Sequence, residues 1–172
     1  DFNNYNIVKL GFWPGGDRDG NPFVTTEMTD QVADELRTTL MKCYYKDLKA
    51  LHQKLSFTAL PEPLIGLRKA LYDSMFDANA LVPYDFLIGE LQKIKDLLVS
   101  KYFGLYLKDL DALIDKVKIF KTHFATLDIR QDHSIHFNSI TAILKHAGII
   151  KESLEELSPE VLTDKLLHLD LE

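Results

Sequence analysis

The sequence predicts a mainly α fold, a helical bundle with two short extended segments. Three observations predict it. Apolar residues recur every three or four positions over most of the chain, the period of a helix buried along one face. Proline and glycine cut that pattern into pieces of helix length. Two stretches, residues 7–13 and 124–131, break the helical period and lean toward β structure. At 172 residues the chain is long enough for one domain with a real core. Its expected divisions are 1–25 strand and glycine-rich loop, 26–123 helical, 124–131 strand and 132–172 helical.

The elements follow in order. Ile7 to Trp13 read as a short strand running into Pro14-Gly15-Gly16-Asp17-Arg18-Asp19-Gly20-Asn21-Pro22, which cannot be regular structure. Thr25 or Thr26 is placed to cap a helix, with Glu27 in its first turn. Met28, Val32, Leu36, Leu40, Tyr44, Leu48, Leu51 and Leu55 then mark an amphipathic helix of about seven turns. Pro61-Glu62-Pro63 breaks it. Leu64, Leu67, Leu71 and Met75 define a second helix. Pro83 opens a third, with Leu87, Ile88, Leu91, Ile94 and Leu98 inward. Gly104 separates it from a fourth, marked by Leu110, Leu113, Ile114, Val117 and Phe120. After the extended stretch, Ser134 or His136 opens a fifth helix, which Lys145, His146 and Gly148 suit as an ending. Ser158-Pro159-Glu160 is an N-cap, N1, N2 start for a last short helix.

Composition narrows the class. Hydrophobic residues make up 46% and charged residues 27%, the balance of a globular protein. No apolar run approaches the roughly 18 residues of a membrane span. The 20 basic and 26 acidic side chains leave a net charge of −6. That opposes nucleic-acid and anionic-membrane partners, which need an excess of cations. A single cysteine, Cys43, excludes an internal disulfide and fits a reducing, cytoplasmic compartment. Mid-helix among apolar residues, it reads as inert packing. The chain opens at Asp1 with no signal-peptide pattern. It stops inside an apolar-periodic run at Leu169-Asp170-Leu171-Glu172, as an excised or engineered fragment would.

Two places carry polar residues out of keeping with their surroundings. Alternation along residues 124–131 puts Thr126, Asp128 and Arg130 on one face of a strand. Such an Asp can orient the guanidinium, whose planar fork suits a phosphate or carboxylate. The same spacing also fits an ion pair that only tethers a strand end, and both readings stand at this point. The loop at 15–22 can present backbone N–H groups and Arg18 to an anion, or it is simply a tight turn between strand and helix. It has the start of a calcium loop in Asp17, Asp19 and Asn21. The last ligand position of such a loop falls on Met28 rather than Glu, which argues against calcium. His133 and His136 lie three apart without a third ligand nearby, so no metal is expected there.

The two motifs together are familiar. Gly15-Gly16-Asp17-Arg18-Asp19-Gly20-Asn21-Pro22, with Val24-Thr25 after it, resembles a segment of the phosphoenolpyruvate carboxylase family. Leu127-Asp128-Ile129-Arg130-Gln131 resembles that family's Leu-Asp-Ile-Arg-Gln strand. The family follows its Arg-Gln with Glu-Ser-x-Arg-His. Here Asp132-His133-Ser134-Ile135-His136 keeps an acid and the final His but differs at His133 and Ile135. The resemblance implies an enzyme that makes oxaloacetate and phosphate from phosphoenolpyruvate and bicarbonate, with Mg²⁺ or Mn²⁺ in the full-length protein. It implies a β-barrel embedded in helices and a homo-oligomer, a dimer of dimers. Bicarbonate would attack the phosphoryl group to give carboxyphosphate and an enolate, which released CO₂ then carboxylates. Arg130 would contact the substrate phosphate. Asp128, Gln131 and the loop residues Gly15, Gly16, Asp17, Arg18, Asp19, Gly20 and Asn21 would support it. Arg37 would match an arginine of a sugar-phosphate activator site in some members. The family's catalytic histidine, metal-binding carboxylates and second glycine-rich loop have no counterpart in the chain. The expected fragment is therefore inactive alone and binds no metal. The competing reading is a non-catalytic helical interaction or scaffold module.

Overall fold

The computed structural model describes residues 5, 7–55, 62–77, 79–151 and 153–168. The break at Pro61 and the apolar-periodic end at 169–172 lie outside the described residues. The chain forms two compact units. One comprises Asp1–Gly16 with Thr25–Asp128, the other Asp17–Val24 with Ile129–Glu172. The expected class, mainly α with two short extended segments, is the class observed.

The first unit is built on four helices. α1 (Thr26–Lys54), α2 (Glu62–Asp73), α3 (Tyr84–Lys101) and α4 (Leu107–Phe120) pack as a closed ring, each against its two neighbours. The periodic leucines meet in one core: Leu40, Tyr44, Leu48 and Leu51 of α1 with Leu67, Leu91, Leu98 and Val117 from the other three. All eight are at most 5% exposed. Fully burying such side chains contributes roughly 1.5–3 kcal/mol each, an upper bound because unfolded chains are partly compact. Tyr44 also ties α1 to the end of α4. Its hydroxyl donates to the Lys121 carbonyl at 2.9 Å, the residue that caps α4 with φ +52°. Burial pushes that phenol far above its ordinary range, with the neighbouring Cys43 and Tyr84 adding to the effect. It therefore stays a hydrogen-bond donor.

α1 is 29 residues long, about eight turns, one more than the apolar count suggested. Thr25, not Thr26, is its N-cap, accepting from the Met28 N–H at 3.3 Å. Its first three turns project beyond the leucine core. Val32 and Leu36 instead line an open apolar groove of about 590 Å³ with Phe12, Phe120 and Phe124. Cys43 lies on this wall and is exposed, which corrects the inert-packing reading. It sits one residue from Tyr44, and a helix turns such a neighbour by about 100° off the core face.

The bundle is the crossover of a small parallel sheet. β1 (Gly11–Phe12) pairs with β2 (Thr126–Leu127) in the register Gly11 with Thr126 and Phe12 with Leu127. The Thr126 N–H donates to the Leu10 carbonyl at 3.1 Å, and the Asp128 N–H to the Phe12 carbonyl at 2.8 Å. The ladder is far shorter than the extended stretches that contain it. Phe124 bends the chain before β2, with φ +69° and its ring stacked on Phe120 at 5.5 Å.

The second unit holds α5 (His133–His146), a single 3₁₀ turn (Leu154–Glu156) and α6 (Pro159–Leu167). Leu144, Ile150 and Leu154 form its small core, with Phe137 and Leu162 against it. The N-cap of α5 is Asp132 rather than Ser134 or His136. A carboxylate is the stronger acceptor for the orphan N–H groups of a first turn. Ser158 caps α6 with Pro159 next, as expected, and the Ser158 hydroxyl accepts from the Val161 N–H at 3.3 Å. Ser153 and Glu156 form a capping box on the 3₁₀ turn that periodicity alone did not reveal.

Candidate functional site

In the first unit, β1 runs into the turn Trp13-Pro14-Gly15-Gly16, closed by donation from the Gly16 N–H to the Trp13 carbonyl at 2.9 Å. Pro14 in second position and Gly15 in third, with φ +82°, are the pattern of a type II turn. Gly15 has a second constraint. A Cβ there would stand 2.6 Å from Val32 Cγ2, so the turn closes on α1 only as glycine. Thr29, 7% exposed, donates its hydroxyl to the Gly15 carbonyl at 2.7 Å and lies 3.1 Å from the Thr25 carbonyl. Sequence reasoning did not find Thr29. A threonine four residues past an N-cap signals a local bond to the i−4 carbonyl, and nothing local announces the longer-range acceptor.

Asp128 follows β2 in the same unit. Its carboxylate lies close over Gly11, where a Cβ would come within 2.9 Å of Oδ2. Glycine at position 11 therefore leaves that carboxylate its place.

In the second unit, the glycine-rich motif and the Arg-Gln motif meet through their backbones. The Arg18 N–H donates to the Arg130 carbonyl at 2.9 Å, and Asp17 forms a parallel bridge with Arg130. The rest of the loop is a chain of turns. The Asn21 N–H donates to the Arg18 carbonyl at 3.3 Å, and Asn21 Oδ1 accepts from the Phe23 N–H at 3.1 Å. Asp19, Gly20 and Asn21 are exposed, Asp17 and Arg18 half-buried, and the Arg130 side chain is exposed. Among the described residues, neither Asp128 nor Arg130 takes part in a salt bridge.

Gln131 Oε1 accepts from the Asp132 N–H at 3.0 Å, leading the chain into α5. Asp132 accepts from both the hydroxyl and the N–H of Ser134. The hydroxyl first, then the N–H, hold its carboxyl below the usual range, with His133 and His136 adding a smaller pull. Arg37 lies on α1 in the first unit. Its Nε and Nη2 both donate to Asp34 Oδ1, at 3.1 and 2.8 Å, and Nη1 donates to the Ser74 carbonyl at 3.3 Å. It thereby ties α1 to the end of α2.

The arrangement joins an arginine to a loop whose sequence is one of the two motifs. Comparison with known proteins bears on what it is. The family model for phosphoenolpyruvate carboxylase matches residues 1–76 and 66–170. The chain belongs to that family. A phosphoenolpyruvate carboxylase of Shewanella loihica is 31% identical over 83% of the chain. Those of Trichormus variabilis and Thermosynechococcus vestitus are 28% and 27% identical over 90% and 95% of it. The chain spans about a fifth of the length of the curated relatives it matches. It is thus a fragment relative to phosphoenolpyruvate carboxylase. Among its described residues, no three His, Cys, Asp or Glu side chains stand close enough to hold a metal ion, and no helix is long and apolar enough to cross a membrane.

Proposed function

We propose that the parent protein adds bicarbonate to phosphoenolpyruvate, giving oxaloacetate and phosphate, and that Arg130 contacts the substrate phosphate. The observation that carries the assignment is the pairing of Arg18 and Asp17 with the Arg130 backbone. Two motifs far apart in sequence converge on one arginine, and the backbone of that arginine is fixed while its side chain stays open to solvent. A fixed base and an exposed planar fork suit a phosphate, which a guanidinium binds through two parallel N–H donors. During phosphoryl transfer, negative charge spreads over the phosphoryl oxygens, and a cation set there in advance lowers the barrier. Arg18 is the neighbouring cation, and Gln131 links Arg130 to the capped start of α5.

A divalent ion, Mg²⁺ or Mn²⁺, supplies charge neutralisation in the parent. The described residues here do not fit it as a ligand set. The parent acts in the cytoplasm as a homo-oligomer, and the 172-residue chain alone does not carboxylate. The activator role of Arg37 requires an effector anion to displace Asp34, whose Oδ1 now occupies the Nε–Nη2 edge of its guanidinium.

The test is steady-state kinetics of the full-length parent. Each charge-assisted contact contributes roughly 1.5–3 kcal/mol. Loss of two such contacts in Arg130→Ala lowers kcat/KM for phosphoenolpyruvate by about 10²–10⁴-fold. Arg130→Lys recovers only part, because a point charge lacks the fork. Wild-type kinetics in Arg130→Ala would overturn the assignment and leave the family membership intact.

A further inference from the structure

We propose that the open apolar groove of the first unit is the seat of an apolar segment of the parent chain that lies outside these 172 residues. The proposal rests on the family membership and not on the assignment of Arg130. The groove, of about 590 Å³, has the size of a preformed binding site. Phe12 comes from β1, Val32, Leu36 and Cys43 from α1, Phe120 from the end of α4 and Phe124 from the bend beyond it. All of them belong to the first unit. Its walls are tied to each other before anything docks. Lys116 Nζ of α4 stands 2.7 Å from Asp47 Oδ2 of α1, and the Tyr44 hydroxyl holds the Lys121 carbonyl. The apolar period of α1 runs on through Met28, Val32 and Leu36, where the leucine core does not reach. Met28 and Cys43 stay exposed, Val32, Leu36 and Phe12 half-buried. An apolar stripe at helical period is built to be covered, and a contiguous one left open marks a docking surface. The sheet points the same way. Phe12 is half of β1, and parallel sheets occur with both faces covered. The charged residues of the groove balance, Glu35 and Asp47 against Lys46 and Lys116, so an apolar face rather than a net charge fits it. The length of the relatives says where that face comes from. The chain spans about a fifth of them, which leaves about four-fifths of a parent of that length outside it. A segment of the same chain meets the groove at an effective concentration of the order of mM, above that of a second molecule in solution.

The full-length parent tests this in two ways. Cys43, on the groove wall, reports without any substitution. Its alkylation by iodoacetamide is followed by mass spectrometry of the peptide that carries it. In the folded parent Cys43 should react at least about tenfold more slowly than in the parent unfolded in urea, as a thiol reached only through local opening does. A folded rate within about tenfold of the unfolded one would mean that nothing covers the wall, and would overturn the proposal. The second test reads which chain does the covering. The photo-crosslinker p-benzoylphenylalanine replaces Leu36 in the parent, and the same probe at Thr39, exposed on the same wall, serves if that variant does not fold. Irradiation should give a product of monomer mass, joined to a peptide outside the 172 residues. A product of twice that mass, a link within the 172 residues, or no product from either position would overturn the proposal. Arg130 takes no part in either readout, so failure here leaves the phosphate assignment standing.

Discussion

Gly15→Ala should be among the more damaging single-methyl additions in the helical unit, and its cost divides into two parts. The first is backbone. At φ +82° an L side chain pays for the left-handed region, roughly 1–2 kcal/mol. The second is steric. The ideal Cβ would lie 2.6, 2.9 and 3.2 Å from Val32 Cγ2, Cβ and Cγ1. Forcing a methyl into such a space costs roughly 1–3 kcal/mol. The sum, roughly 2–5 kcal/mol, is a large share of the 5–15 kcal/mol that holds a typical domain together. Val32→Ala dissects it. That change removes both Cγ contacts and leaves the Cβ contact, so it relieves part of the steric cost and none of the backbone cost. Gly15→Ala should therefore cost about 1 kcal/mol less in the Val32→Ala background than in wild type. Urea unfolding followed by far-ultraviolet circular dichroism reads all four members of the cycle. Additivity within roughly 0.5 kcal/mol, or a single-variant cost below roughly 1 kcal/mol, would refute the reasoning.

Two predictions concern protons. His52 is half-buried, and Arg68 Nη1 sits 2.6 Å from its Nδ1. Burial first, and the guanidinium second, lower its pKa from the ordinary 6.5. The folded chain thus binds this proton less readily than the unfolded one, so stability from this site is full above about pH 6.5 and declines as pH falls toward the folded value. NMR titration should find His52 below the ordinary 6.5, and Arg68→Ala should move it up; a titration at or above 6.5 contradicts the assignment. Asp132 has the lowered carboxyl, so the N-cap of α5 is intact above the ordinary carboxylate range and is lost as pH falls through the folded value. Asp132→Asn keeps an acceptor oxygen and should abolish that pH dependence in amide exchange across α5.

The helices were legible because each buries one face at a regular period. Leu40, Tyr44, Leu48 and Leu51 announce their side of α1 without knowledge of what covers it. The limits of that signal appear at Met28, 42% exposed, and at Val32 and Leu36, which keep the apolar period where the leucine core is absent. Periodicity reports an apolar face and not its occupant. The Ser158-Pro159 start was readable since cap chemistry is local. The Asp132 cap was missed because three polar residues in succession could each have opened α5. Strand length was illegible for a different reason. A ladder needs two partners, and the reach of residues 124–131 is set by the two residues of β1 that meet them. The candidate site was half legible. Motif resemblance singled out Arg130 and the loop, but their backbone pairing is a long-range contact that no spacing rule supplies. Thr29 escaped for the same reason, its acceptor lying fourteen residues back.

The central claim is that Arg130 holds the phosphate of phosphoenolpyruvate. The most direct measurement is a crystal structure of the full-length parent with phosphoenolpyruvate or an unreactive analogue bound. The account predicts two guanidinium nitrogens of Arg130 at about 2.7–2.9 Å from phosphoryl oxygens, the geometry of a charge-assisted pair. The Arg18 N–H should still be bonded to the Arg130 carbonyl beneath them. A well-ordered phosphate held by other side chains, with the Arg130 guanidinium more than about 3.5 Å away, would contradict it.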